Sequence, residues 1–200
     1  MGTKELRTRK NWQTVSQIKA TDTEHTFYSI FEEYCATHTD YEFIKHPQDF
    51  NNIYKNVILP KKVLESIYTP TKDYRKHGIN PDFAIRNKRT NKILFGEIKR
   101  QDGWVENKRP KDGRGNAHER LCKYFTPGLM EILRNKGICD TSILPFWVVF
   151  KGDITRDPKR VREIHLWFGK YKDNFILWQD ETNSNIIINH FETKLKQYLD

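Results

Sequence analysis

The sequence is poor in cysteine, in acidic charge and in long apolar runs. Its three cysteines, Cys35, Cys122 and Cys139, are an odd number and none lies in a C-x-x-C pair, so neither a disulfide framework nor a zinc site is expected. Free, buried thiols in a reducing cytoplasm are the expectation instead. No segment approaches the roughly eighteen consecutive apolar residues that span a bilayer, and the start Met1-Gly2-Thr3-Lys4-Glu5 is too polar to read as a signal peptide. There is no internal repeat and no low-complexity tract. Acidic residues number 26 against 35 Lys and Arg, a formal net charge of +9. Such a surface suits a polyanion, because it attracts phosphates and displaces their counterions.

Aromatic residues are plentiful: twelve Phe, nine Tyr and five Trp are spread along the 200 residues. That supply argues against disorder and for a packed core. The length suits one compact domain, residues 1–200, with a buried sheet between helices.

Apolar periodicity places the elements. Phe27, Ile30, Phe31, Tyr34 and Cys35 recur at helical spacing over residues 22–38, with Thr21 and Glu24 resembling a capping box. Val63, Leu64, Ile67 and Tyr68 after Pro60 give a shorter helical signal. Residues 82–99 are two apolar-rich runs around Asn87-Lys88-Arg89-Thr90-Asn91, a β-hairpin pattern. Helical pieces follow at 116–125 and 128–136, divided by Pro127 and stopped by Gly137. The run Ile143–Phe150 reads as a central strand covered on both faces. A helix starting at Asp157-Pro158, a strand at Asn174–Trp178 and a last helix through Phe191, Leu195, Tyr198 and Leu199 complete the chain. Helices interleaved with strands predict a three-layer α/β core, a mixed β-sheet flanked by helices.

One stretch exceeds a minimal version of that plan. Residues 100–115 form a polar loop carrying Arg100, Lys108, Arg109, Lys111 and Arg114. Structureless loops beyond about 12–15 residues are uncommon unless functional or disordered. It reads as a basic arm that orders against DNA, with a disordered surface loop as the alternative.

The hairpin carries the candidate chemistry. A turn centred near residues 89 and 90 sets Asp82 opposite Glu97, and directly opposed residues have Cβ atoms only about 4.5–5.5 Å apart. Alternation along the strand puts Lys99 on the same face as Glu97. Phosphodiester hydrolysis needs such a set, because the attacked phosphorus is shielded by negative oxygens and gains charge in the transition state. Mg2+ takes carboxylate oxygens at about 2.0–2.1 Å, keeps several waters and acidifies one of them. Lys99 would add a fixed positive charge beside the attacking water. The plainer alternative is a solvated salt bridge on a surface hairpin.

Downstream, Gly113-Arg114-Gly115-Asn116-Ala117-His118-Glu119-Arg120 lies where the basic loop meets a helix start. Unpaired N–H groups at helix N-termini suit phosphate. Asn can bond adenine at N6 and N7 together, and Arg can bond guanine at O6 and N7. Asn116 with Glu119 also satisfies the pattern of a helix cap, which leaves Arg114, His118 and Arg120 unexplained.

Together the two motifs resemble the type II restriction endonucleases of the PD-(D/E)xK superfamily, in its EcoRI-like branch. Pro81-Asp82 and Glu97-Ile98-Lys99 are similar to the catalytic motif, and Gly115 to Arg120 is similar to the Gly-Asn-Ala-Ile-Glu-Arg recognition stretch, with His118 in place of isoleucine. The resemblance implies that Asp82, Glu97 and the Ile98 carbonyl bind Mg2+ while Lys99 assists the water. It implies DNA contacts from Arg114, Gly115, Asn116, Ala117, His118, Glu119 and Arg120, with Asn116, Glu119 and Arg120 reading an AATT centre. It further implies a homodimer on double-stranded DNA in a prokaryotic cytoplasm, cutting CAATTG after C to leave 5′-AATT ends. A repair or junction-resolving nuclease of the same superfamily and a non-catalytic DNA-binding regulator are the competing functions. The role of Glu65 as a further acidic ligand is open.

Overall fold

The computed structural model describes residues 24–68, 76–102 and 118–200. Its frame is a five-stranded mixed sheet in the order β1-β2-β3-β4-β5: Tyr41–Lys45, Phe83–Asn87, Ile93–Arg100, Phe146–Lys151 and Phe175–Trp178. The first three strands pair antiparallel and the last three parallel. That change of direction follows from the connections. The tight link between β2 and β3 returns the chain antiparallel, while helical crossovers precede β4 and β5.

Alternation along β4 explains the two cores. Trp147 and Val149 face one side, where they meet Phe27, Phe31, Phe191 and Leu195. Those residues come from α1, residues 24–37, and from the C-terminal helical segment, which begins with α5 (Ser184–His190) and continues through a π turn at Phe191–Leu195. Phe146, Val148 and Phe150 face the other side, against Leu121 and Tyr124 of a 3-10 helix (Glu119–Phe125), Leu129 and Leu133 of α3 (Pro127–Gly137), and Ile164 and Phe168 of α4 (Pro158–Phe168). All six residues of β4 are buried, as a central strand covered on both faces requires. Asp157 caps α4, its carboxylate accepting from the N–H groups of Lys159 and Arg160 at 2.9 and 3.3 Å.

The structure departs from the sequence expectations at definite points. The edge strand β1 was not anticipated, although Tyr41, Phe43 and Lys45 alternate in the strand manner. The short helix α2 (Lys61–Ser66) exists but buries nothing, and on it Glu65 pairs with Lys61 at 3.8 Å. Gly137 does not end α3 as a left-handed stop. It is the last helical residue, and the left-handed position falls on Ile138 at φ 55°. Gly137 is required for space instead, since a Cβ there would lie 2.9 Å from the Ile93 carbonyl oxygen and from Pro145. The cysteines are free but not buried: Cys35 and Cys139 are half-buried and Cys122 is exposed. Thr21 and most of the basic loop lie outside the described residues. Among those described, no helix is long and apolar enough to cross a membrane.

Gly96 sets the fit between the hairpin and the core, because a Cβ there would sit 2.1 Å from the Phe83 ring. Gly96→Ala is expected to lose about 1–3 kcal/mol of stability through overpacking, read as a lowered midpoint in urea at unchanged slope.

Candidate active site

The hairpin register decides which side chains meet. Phe83 pairs with Gly96 and Ile85 with Leu94. One step beyond, Asp82 stands opposite Glu97, as the turn-centred register predicts. The Asp82 N–H donates to the Gly96 carbonyl at 2.9 Å. Its own carbonyl accepts from the His46 N–H at 3.0 Å, continuing the β1 ladder, and from the Tyr28 hydroxyl at 3.1 Å. Its carboxylate Oδ2 accepts from the Ile98 N–H at 2.7 Å. Asp82 is therefore fixed by β1, β3 and α1 together.

Lys99 closes the cluster. Its ammonium bonds Glu97 Oε2 directly and lies 3.7 Å from Asp82 Oδ2. The other oxygen of Glu97, Oε1, accepts from the Tyr124 hydroxyl. The side chains of Asp82, Glu97 and Lys99 are 19, 6 and 20 % exposed. A solvated salt bridge on a surface hairpin would be far more exposed, so that alternative is set aside.

Burial raises the energy of two carboxylates held side by side. The Asp82 carboxyl is pushed up to about 6 by desolvation, with Lys99 working against the rise and Glu97 and Glu24 adding to it. Burial alone would lower Lys99, but the Glu97 and Asp82 carboxylates outweigh it and hold the ammonium above its ordinary value. One monovalent cation thus bridges two acids incompletely.

The recognition stretch is described only in part, since Arg114, Gly115, Asn116 and Ala117 lie outside the described residues. Glu119 and Arg120 open the 3-10 helix with exposed side chains. His118 differs from the expectation of a DNA-facing side chain. It is fully buried, stacks on Trp167 at 5.1 Å and bonds Glu163 Oε2 at 2.8 Å. Arg100 also differs: it is the last residue of β3, bonding Asp102 at 2.9 Å and both Glu181 oxygens at 3.0 and 2.9 Å, and so belongs to the sheet's end instead of a free arm.

Comparison with known proteins adds a family. The family model described as type II restriction enzyme MunI matches residues 1–200. The chain belongs to that family. The type II restriction enzyme MunI of a Mycoplasma species is 51% identical over 203 residues, covering 100% of both chains. The crystal structure of MunI restriction endonuclease in complex with cognate DNA superposes with a TM-score of 0.79 at 50% identity, covering 95% of this chain and 98% of that one.

A MunI-family enzyme is a site-specific endonuclease with a divalent metal cofactor. Family membership selects the restriction reading over a repair nuclease or a non-catalytic regulator. The donor set fits the metal. Two adjacent carboxylates that share one ammonium, with the Asp82 carboxylate still penalised by desolvation, are hard oxygen ligands that can accept more positive charge. Among the described residues, no group of three or more His, Cys, Asp or Glu is placed to hold a metal.

Sequence reasoning missed Tyr28, Glu24 and Tyr124 as neighbours of the cluster. Glu24 read only as part of a capping box, Tyr28 and Tyr124 were not singled out, and nothing local points a tyrosine hydroxyl at a strand many residues away.

The displaced Asp82 titration has a stability consequence. Folding raises its pKa from 3.8 to about 6, so the folded state holds a proton that the unfolded state has lost between those values, and stability falls as pH rises through that window. Asp82→Asn should therefore be more stable than wild type by on the order of 1–3 kcal/mol above pH 7. The advantage should vanish near pH 4, as measured by thermal melting across pH.

Proposed function

We propose that this chain hydrolyses double-stranded DNA at CAATTG, cutting after C to leave 5′-AATT ends, with Mg2+ as its metal. The observation that carries the reading is the buried contact of Lys99 with both Asp82 and Glu97, on the same face of the sheet as the helix that presents Glu119 and Arg120.

Asp82 and Glu97, with the Ile98 carbonyl, would hold the ion. When bound, Mg2+ supplies charge neutralisation at the phosphate and a more acidic water. Lys99 then keeps its ammonium on the reacting side, where it orients the water and a non-bridging phosphate oxygen. The Ile98 N–H and the His46 and Tyr28 contacts hold Asp82 in place, so the carboxylate is oriented before substrate arrives.

Base reading is assigned to Asn116, Glu119 and Arg120 for the AATT centre and to Arg114 for the outer guanine, since a bidentate arginine suits O6 and N7. Gly115 and Ala117 would bring the backbone close to the DNA. His118, buried against Trp167, anchors the start of the 3-10 helix that carries Glu119 and Arg120. A palindromic site calls for two copies related by a two-fold axis, hence a homodimer.

Incubating plasmid DNA with the protein and Mg2+ should give discrete fragments whose sequenced ends begin 5′-AATTG. Asp82→Ala and Lys99→Ala should each slow cleavage by roughly 10³-fold or more. Smears, other ends, or full activity in Asp82→Ala would overturn the reading.

A further inference from the structure

The 3-10 helix Glu119–Phe125 has two faces with different business. In a 3-10 helix, residues three apart lie one above another. Here His118, Leu121 and Tyr124 are buried, while Glu119, Arg120, Cys122 and Lys123 are exposed. The inner face is anchored at both ends. At the start, His118 is clamped on α4 by its bond to Glu163 and its stack on Trp167, and Arg160 of the same helix bonds Glu163 at 2.8 Å and approaches Glu119 at 3.9 Å. At the far end, the Tyr124 ring lies 4.0 Å from that of Phe146 on β4, and its hydroxyl donates to Glu97 Oε1.

Glu97 thus has one oxygen taken by a rigid, buried donor and the other turned towards Lys99 and Asp82. The donor stands on the same short helix as two residues assigned to base reading. At about 2.0 Å of rise per residue, Arg120 and Tyr124 are only about 8 Å apart along the axis. A shift of the outer face on meeting bases cannot be absorbed by a soft loop before it reaches Glu97.

We propose that Tyr124 is a positioning residue that couples base recognition at Glu119 and Arg120 to the metal-binding geometry of Glu97. The proposal rests on the reading of Glu97 as a metal ligand and of Glu119 and Arg120 as base readers. Outer contacts of this kind orient metal ligands, and their loss commonly weakens metal affinity or activity about 10–100-fold.

The test uses the full chain with Tyr124→Phe, which keeps the ring stack and removes one hydroxyl, its fold verified by melting. Mn2+ affinity is measured by calorimetry, and single-turnover cleavage is followed on a cognate duplex and on one altered at a single base pair while Mg2+ is titrated. Tyr124→Phe should weaken Mn2+ binding and raise half-saturating Mg2+ by about 10–100-fold, and it should narrow the ratio of cognate to altered cleavage rates by at least about tenfold. In a Glu97→Gln background the same change should leave Mn2+ affinity unaltered. Unchanged metal affinity, equal losses on both duplexes, or a full additional loss in the Glu97→Gln background would each overturn the coupling. Glu119→Ala, on the exposed face, tests it without touching the core: at saturating DNA it should raise half-saturating Mg2+ on the cognate duplex, and an unchanged value would overturn the coupling. If Glu97→Gln itself retains normal cleavage and Mn2+ affinity, the metal-ligand reading fails. If Glu97→Gln is inactive and Tyr124→Phe behaves as wild type, only the coupling fails.

Discussion

Two carboxylates forced together under partial burial, with a single ammonium between them, are the constraint around which this molecule is arranged. Asp82 and Glu97 stand side by side, desolvation is the largest cost to the Asp82 carboxylate, and the Lys99 ammonium, though it outweighs the repulsion from Glu97, offsets only part of that cost. An arrangement of that kind persists only where the surrounding structure over-determines it. Here it does so through hydrogen bonds to Asp82 from β3, from the end of β1 and from the Tyr28 hydroxyl of α1, and through the two separate partners of Glu97. Under the proposed reading, the same incompleteness would make the cluster receptive to a divalent cation, so that what costs stability in the free protein would serve the reaction.

The sheet serves this constraint. Antiparallel pairing of β2 and β3 sets the two acids opposite each other, and parallel pairing of β3 with β4 makes β3 a buried interior strand whose odd-numbered residues, Phe95, Glu97 and Lys99, share one face. That face is the one covered by the 3-10 helix and α3. The residues proposed for recognition at Glu119 and Arg120 and those proposed for chemistry therefore share a layer, joined by a helix of seven residues. The opposite face, filled by Phe27, Phe31, Trp147 and Phe191, supplies the aromatic packing against which the hairpin is held.

Local pattern revealed that Asp82, Glu97 and Lys99 meet, and only part of what supports them. Asp82, Glu97 and Lys99 were legible because a hairpin register follows from its turn, and strand alternation then fixes the face. The central strand and the capped start of α4 were legible from one apolar run and from Asp157 before a proline. β1 escaped notice because five residues of mixed polarity on a sheet edge carry a weak signal, yet its ladder supplies the His46 bond to Asp82. Gly137 had the right position for a helix stop and the wrong reason, since the close approach of Ile93 and Pro145 is a tertiary fact. His118 looked like a surface residue among readers of DNA, and only the packing of α4 explains why it turns inward. Tyr124 is the same case: its hydroxyl partner lies 27 residues back on another element, which no local period encodes.

The central proposal is that Asp82 and Glu97 form the divalent-ion site and that Lys99 would yield its bridging place to the ion. Anomalous diffraction from crystals of the chain grown with a CAATTG duplex and Mn2+ tests it most directly. The account predicts a manganese peak bonded to both carboxylates, with the Lys99 ammonium displaced from between them. A manganese peak held by other residues, with Lys99 still bridging Asp82 and Glu97, would contradict it.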